Sequence, residues 1–145
     1  MKVGFIGCGN MASAMLGGII QKGVVAKEDL MASARTEKTR KKIKEEFQIA
    51  AIEDNKELAA KSDIIVLAIK PVYMEEVIEE IAECVTEEKI IVTLAPGKTL
   101  EWLDVTFGKP TKLIRTMPNT PALVGEGMTA VSYTHLRAHE TSAHL

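Results

Sequence analysis

The chain has 145 residues, 46% of them hydrophobic and 26% charged, with a formal net charge of −2. That composition suits one folded domain with a substantial core, and it excludes a disordered chain or a globally basic nucleic-acid binder. Two cysteines, Cys8 and Cys84, make no disulfide framework, and no apolar run approaches the roughly 18 residues of a membrane span, so a soluble cytoplasmic protein is expected, with no membrane or nucleic-acid partner.

Lys2 to Ile6 reads as a short buried strand, too short for a signal-peptide core, so the fold is expected to begin at once. A glycine loop follows, then a helix over Met11–Lys22 whose apolar face is Met15, Leu16, Ile19 and Ile20 and whose stop is Gly23. Gly17 and Gly18 weaken that helix, which suggests close approach to a neighbouring backbone. A second strand is expected over Leu30–Ala34, a charged helix over Glu37–Phe47, a weaker strand over Ile49–Ile52 and a short helix over Asn55–Lys61. Asp63–Ile69 holds an unbroken apolar run, the mark of a strand covered on both faces, and Pro71 ends it. Met74, Val77, Ile78, Ile81, Ala82 and Val85 then repeat at helical spacing. A fifth strand covers Lys89–Ala95, Thr99 caps a helix through Phe107, and Lys112–Thr116 is a sixth strand. Strands alternating with helices of about ten residues predict an α/β fold of Rossmann type, with a doubly wound, mainly parallel sheet. Tyr133–Leu145 has only weak helical patterning and carries all three histidines, His135, His139 and His144.

The motif Gly7-x-Gly9-x-x-Ala12 stands between a strand and a helix. Gly7 permits a tight turn, Gly9 lets backbone approach a diphosphate, and Ala12 keeps the helix close to the sheet. The helix start then offers free N–H groups and a positive dipole end to the anion. NAD enzymes place a carboxylate at the end of the second strand to bind ribose hydroxyls. Here that place reads Ser33-Ala34-Arg35-Thr36, with Lys38, Arg40, Lys41 and Lys42 close behind. These groups suit a 2′-phosphate, so NADP(H) is favoured over NAD(H), although Lys41, Lys42 and Lys44 read better as a solvated helix face.

Ligands of open α/β sheets sit outside the carboxyl ends of the strands. Asn55, Lys70-Pro71, Ala95-Pro96-Gly97 and Met117-Pro118-Asn119-Thr120-Pro121 all fall there. Plainer roles compete: Asn55 as a helix cap, Lys70 as a strand-end charge, Asn119 and Thr120 as turn hydrogen-bonders, Cys8 as a small loop filler and Trp102 as core. His135 and His139 lie one helical turn apart, but Glu140 follows the second histidine rather than the first, so no metal site is expected.

Three segments together resemble one family: Val3 to Ala12, Leu67 to Pro71, and Arg115 to Ala122 with Gly125-Glu126-Gly127. In order and spacing they look like pyrroline-5-carboxylate reductase, over about residues 2 to 131. The resemblance implies reduction of 1-pyrroline-5-carboxylate to L-proline with NAD(P)H, the last step of proline biosynthesis. It implies that Ile6, Gly7, Cys8, Gly9, Asn10, Met11, Ser33, Asn55, Ala68, Ile69, Lys70 and Pro71 contact the coenzyme, and Arg35 joins them from the 2′-phosphate argument above. Ala95 would lie beside the nicotinamide, and Asn119 and Thr120 would line its pocket. Imine reduction asks the protein mainly to position two reactants, which suits a chain without histidine before residue 132.

Family members are much longer, with a helical second half that makes a homo-oligomer and holds the substrate carboxylate. The resemblance therefore implies an NADP-binding domain over 1–131 that lacks the groups for efficient turnover alone. The match fades near Ser132, and 132–145 reads as a foreign junction or disordered tail. Competing readings are the coenzyme domain of a β-hydroxyacid dehydrogenase-type reductase, a non-catalytic NADPH-binding module, and an unstable orphan fragment.

Overall fold

The computed structural model describes residues 1–7, 9–94, 99–116, 131–134 and 143–144. Its sheet has the strand order β3-β2-β1-β4-β5-β6-β7-β8, built from Val3–Ile6 (β1), Leu30–Ser33 (β2), Ala50–Ile52 (β3), Ile64–Leu67 (β4), Ile90–Thr93 (β5), Lys112–Thr116 (β6), Val131–Thr134 (β7) and Ala143–His144 (β8). β1 to β6 pair in parallel, whereas β7 runs antiparallel to β6 and β8 antiparallel to β7. The helices are Asn10–Lys22 (α1), Glu37–Phe47 (α2), Asn55–Lys61 (α3), Pro71–Ile81 (α4) and Leu100–Phe107 (α5). The chain is thus α/β, Rossmann-type and doubly wound, with its order reversing between β1 and β4.

Strand residues alternate between two cores, because successive side chains point to opposite faces. Val3, Phe5, Leu30, Ala32 and Val66 pack under α1 and α2 with Ala12, Leu16, Ile43 and Phe47. Ile6, Met31, Ile65, Leu67 and Ile91 pack under α3, α4 and α5 with Leu58, Met74, Ile78, Ile81 and Leu103. β1 and β4, flanked on both sides, therefore carry no polar side chain.

The helix ends follow their capping chemistry. Gly23 and Gly108 take left-handed conformations after α1 and α5, and the Thr36 and Thr99 hydroxyls accept from the N–H groups of Thr39 and Trp102. Pro71 opens α4, where its missing N–H costs nothing. Trp102 is half-buried against the core.

Several expectations need correction. β4 ends at Leu67, not Ile69, because its partner β1 ends opposite it at Ile6, where Gly7 with φ +88° leaves the strand. α4 stops at Ile81 and tightens into a 3-10 turn over Ala82–Cys84, although Val85 is still buried. A Cβ on Gly17 would meet nothing within 4 Å, so no neighbouring backbone explains that glycine. Tyr133–Leu145 does not show its weak helical pattern in the described residues: Val131–Thr134 and Ala143–His144 are strands. β7 is held by backbone pairing with β6, which depends little on side-chain periodicity.

Gly4 marks an unexpected close approach. A Cβ there would collide with the Ser62 hydroxyl and lie 2.6 Å from Leu58 Cδ2. Both residues are fully buried, and the Ser62 hydroxyl donates to the Leu58 carbonyl at 2.7 Å. Gly4→Ala is expected to cost about 1–3 kcal/mol by forcing α3 off β1. A melting curve within a degree or so of the unaltered chain would contradict this.

Candidate functional site

The carboxyl ends of β1 and β2, the start of α3 and one flank of α4 surround a cleft of about 160 Å³. Its lining is Ile6 and Gly7 after β1, Ser33, Ala34 and Arg35 after β2, Asn55 at the start of α3, and Ile69, Tyr73 and Val77 on the α4 side. Residues far apart in sequence meet here because parallel strands end on one edge.

The two glycines of the loop do different work. Gly7 has φ +88°, and a Cβ on it would lie 2.7 Å from the Ala68 carbonyl oxygen and 2.7 Å from Ile69 Cγ2. Gly9 has an extended φ of −87° and caps α1 without a side-chain hydrogen bond. A Cβ on Gly9 would meet nothing within 4 Å. α1 carries no acidic residue in its first turn, so no carboxylate of its own opposes an anion at its positive end.

At the end of β2, Ser33 is buried and its hydroxyl donates to Asn55 Oδ1 at 2.7 Å. Asn55 Nδ2 donates in turn to Glu80 Oε1 at 2.9 Å. The capping role suggested for Asn55 belongs instead to Asp54, whose side chain accepts from the Lys56 N–H. Asn55 is the first helical residue, and its amide instead bridges Ser33 and Glu80 at the edge of the cleft.

Arg35 is exposed, stands 5.5 Å over the Tyr73 ring and pairs with Glu76 at 3.6 Å. Arg40, read from sequence as general positive charge, turns back instead. Its Nη1 donates to the carbonyls of Ala34 at 2.9 Å and Arg35 at 3.1 Å, and its Nη2 pairs with Glu53 at 3.5 Å. It braces the loop that presents Arg35. Lys38, Lys41, Lys42 and Lys44 are exposed.

Of the remaining expected site residues, Asn10 and Met11 open α1, with Met11 exposed. Ala68 and Lys70 lie on the turn between β4 and α4, with Lys70 exposed and capping the helix that Pro71 opens. Cys8, Ala95, Asn119 and Thr120 fall outside the described residues, as do His135 and His139. Sequence reasoning missed Tyr73, Glu76 and Glu80. Their spacing of i, i+3 and i+7 sets a polar row beside the apolar stripe of α4, and that row is the signal that could have found them.

A parallel sheet whose first strand runs through a glycine turn into a helix, beside a cleft at the strand ends that Ser33, Arg35 and Asn55 line with polar groups, defines a dinucleotide-binding domain. The family model described as NADP oxidoreductase coenzyme F420-dependent matches residues 2–97, and the chain belongs to that family. It is 40% identical over 142 residues to the pyrroline-5-carboxylate reductase of Escherichia coli (strain K12), covering 98% of this chain and 53% of that protein. It is 39% identical over 126 residues to the pyrroline-5-carboxylate reductase of Pseudomonas aeruginosa, covering 87% of this chain and 46% of that protein. The crystal structure of Plasmodium falciparum pyrroline carboxylate reductase with NADP bound superposes with a TM-score of 0.80 at 30% identity, over 97% of this chain and 50% of that one. The chain spans about half the length of the curated relatives it matches. Among the described residues, no helix is long and apolar enough to cross a membrane.

Proposed function

We propose that this chain is the coenzyme-binding part of a pyrroline-5-carboxylate reductase, and that its cleft takes the adenosine end of NADP(H) in preference to NAD(H). The observation that carries the reading is the open Gly9 turn at the start of α1, set beside a β2 end that offers the cation Arg35 and no carboxylate. The similarity to reductases of that name supports the substrate class.

In this reading the backbone of Ile6 to Met11 holds the diphosphate, and Ser33, Arg35 and Asn55 surround the ribose and its 2′-phosphate. Ala68, Ile69, Lys70 and Pro71 flank the coenzyme from the β4 side. By the family resemblance, Ala95 would lie beside the nicotinamide, and Asn119 and Thr120 would line its pocket. A bound NADPH supplies a hydride for the carbon–nitrogen double bond of 1-pyrroline-5-carboxylate, giving L-proline. Protonation makes the imine carbon electrophilic without a side-chain acid, so the chain's own part is to bind, orient and exclude water. The protein acts in the cytoplasm, in proline biosynthesis. Groups that hold the substrate carboxylate and build the homo-oligomer belong to a helical region beyond these residues, so turnover by this chain alone is expected to be weak. We place the coenzyme domain at 1–131.

Fluorescence titration of the purified chain with NADPH and NADH tests the reading. NADPH is expected to bind more tightly. Arg35→Ala is expected to weaken NADPH about tenfold, the loss of one exposed charge-assisted phosphate contact, with little effect on NADH. Equal affinity for both coenzymes in the unaltered chain, or equal weakening of both by the substitution, would overturn the preference. Turnover comparable to that of the longer relatives would overturn the half-domain reading.

A further inference from the structure

Resting on the coenzyme site proposed above, we infer that Glu80 is a positioning residue that sets coenzyme selectivity, acting through Asn55 on the Ser33 hydroxyl. Asn55 Nδ2 donates to Glu80 Oε1 at 2.9 Å, and Ser33 Oγ donates to Asn55 Oδ1 at 2.7 Å. A carboxylate only accepts, so Glu80 decides which end of the Asn55 amide is nitrogen. The amide oxygen then faces Ser33, and it too only accepts. The Ser33 proton is thereby committed to Asn55, and Ser33 shows lone pairs to the cleft it lines.

That polarity suits one coenzyme better than the other. A ribose 2′-hydroxyl can donate to the Ser33 lone pairs. A 2′-phosphate brings acceptor oxygens and needs the Ser33 proton. To give it, Ser33 must abandon Asn55 Oδ1, leaving a part-buried acceptor without its donor. Flipping Asn55 does not relieve this, because its oxygen would then face the Glu80 carboxylate. The relay from α4 therefore restrains the NADPH preference that Arg35 creates.

Glu80→Gln keeps the shape of an exposed side chain and changes what it can donate. The new amide can donate to a flipped Asn55, whose Nδ2 then donates to Ser33 and frees the hydroxyl proton for a phosphate. The test titrates NADPH and NADH into the chain, E80Q and E79Q, at low salt and at about 1 M salt, where the Debye length is ~3 Å. The NADPH-to-NADH affinity ratio is expected to rise about fivefold in E80Q, as one hydrogen bond is regained, and to stay raised at high salt. Glu79 is exposed on the same helix, and its substitution is expected to leave the ratio unchanged. An unchanged ratio in E80Q, a rise that vanishes at high salt, or an equal rise in E79Q would overturn the relay while leaving the site intact. Failure of the unaltered chain to bind either coenzyme would overturn the site and the relay together.

Discussion

Gly9→Asp is expected to leave the melting temperature unchanged or slightly higher while lowering NADPH affinity about 100-fold or more. The two effects have opposite signs because Gly9 is a helix cap in the fold and empty space in the site. Its φ of −87° and ψ of −167° are open to any L-residue, and a Cβ would meet nothing within 4 Å. Asp is among the best N-cap residues, and its carboxylate would accept from the first-turn N–H groups that Gly9 cannot cap. The same carboxylate would occupy the place of a diphosphate and repel it; a unit charge pair near 4 Å is worth about 4 kcal/mol at an effective dielectric of 20. Calorimetric melting and a coenzyme titration on one sample read both halves. Retained affinity in a folded Gly9→Asp chain would remove the diphosphate from this turn.

Much of this architecture was legible because its signals are local. Thr99 announces the start of α5, and an apolar run without polar breaks announces β4. That residues 7, 33 and 35 would meet was legible because strand ends converge wherever a parallel sheet forms, and all three line the cleft. What stayed hidden depends on competition between neighbours or on partners distant in sequence. Asp54 takes the cap that Asn55 could have filled, and only the fold shows which won. Arg40 and Arg35 are both cations near one loop, yet one braces carbonyls and the other faces the cleft. Gly4 reads as an ordinary strand residue until α3 is laid against it. The edge strands β7 and β8 arise from backbone pairing with little periodic pattern behind it.

Gly7→Ala is the counterpart of Gly9→Asp, and its damage is expected first in the fold. The turn holds Gly7 at φ +88°, where an L-side chain costs roughly 1–2 kcal/mol. The added Cβ would also press on the Ala68 carbonyl oxygen at 2.7 Å. Ala68 cannot easily retreat, because its N–H donates to the Ile6 carbonyl at 2.9 Å and so ties the β4 turn to β1. Ile69 Cγ2, also at 2.7 Å, can rotate, so backbone rather than side chain sets the penalty. Overpacking of this kind adds about 1–3 kcal/mol, for a total near 3 kcal/mol, a large share of the ~5–15 kcal/mol that holds a domain together. A midpoint lowered by roughly 10 °C is expected, with coenzyme affinity falling as the turn opens. Saturating NADPH should then restore part of the lost midpoint, because a ligand that binds only the folded chain favours the closed turn. A midpoint unmoved by Gly7→Ala would mean that the turn has room for a side chain, and the separation of roles between the two glycines would fail.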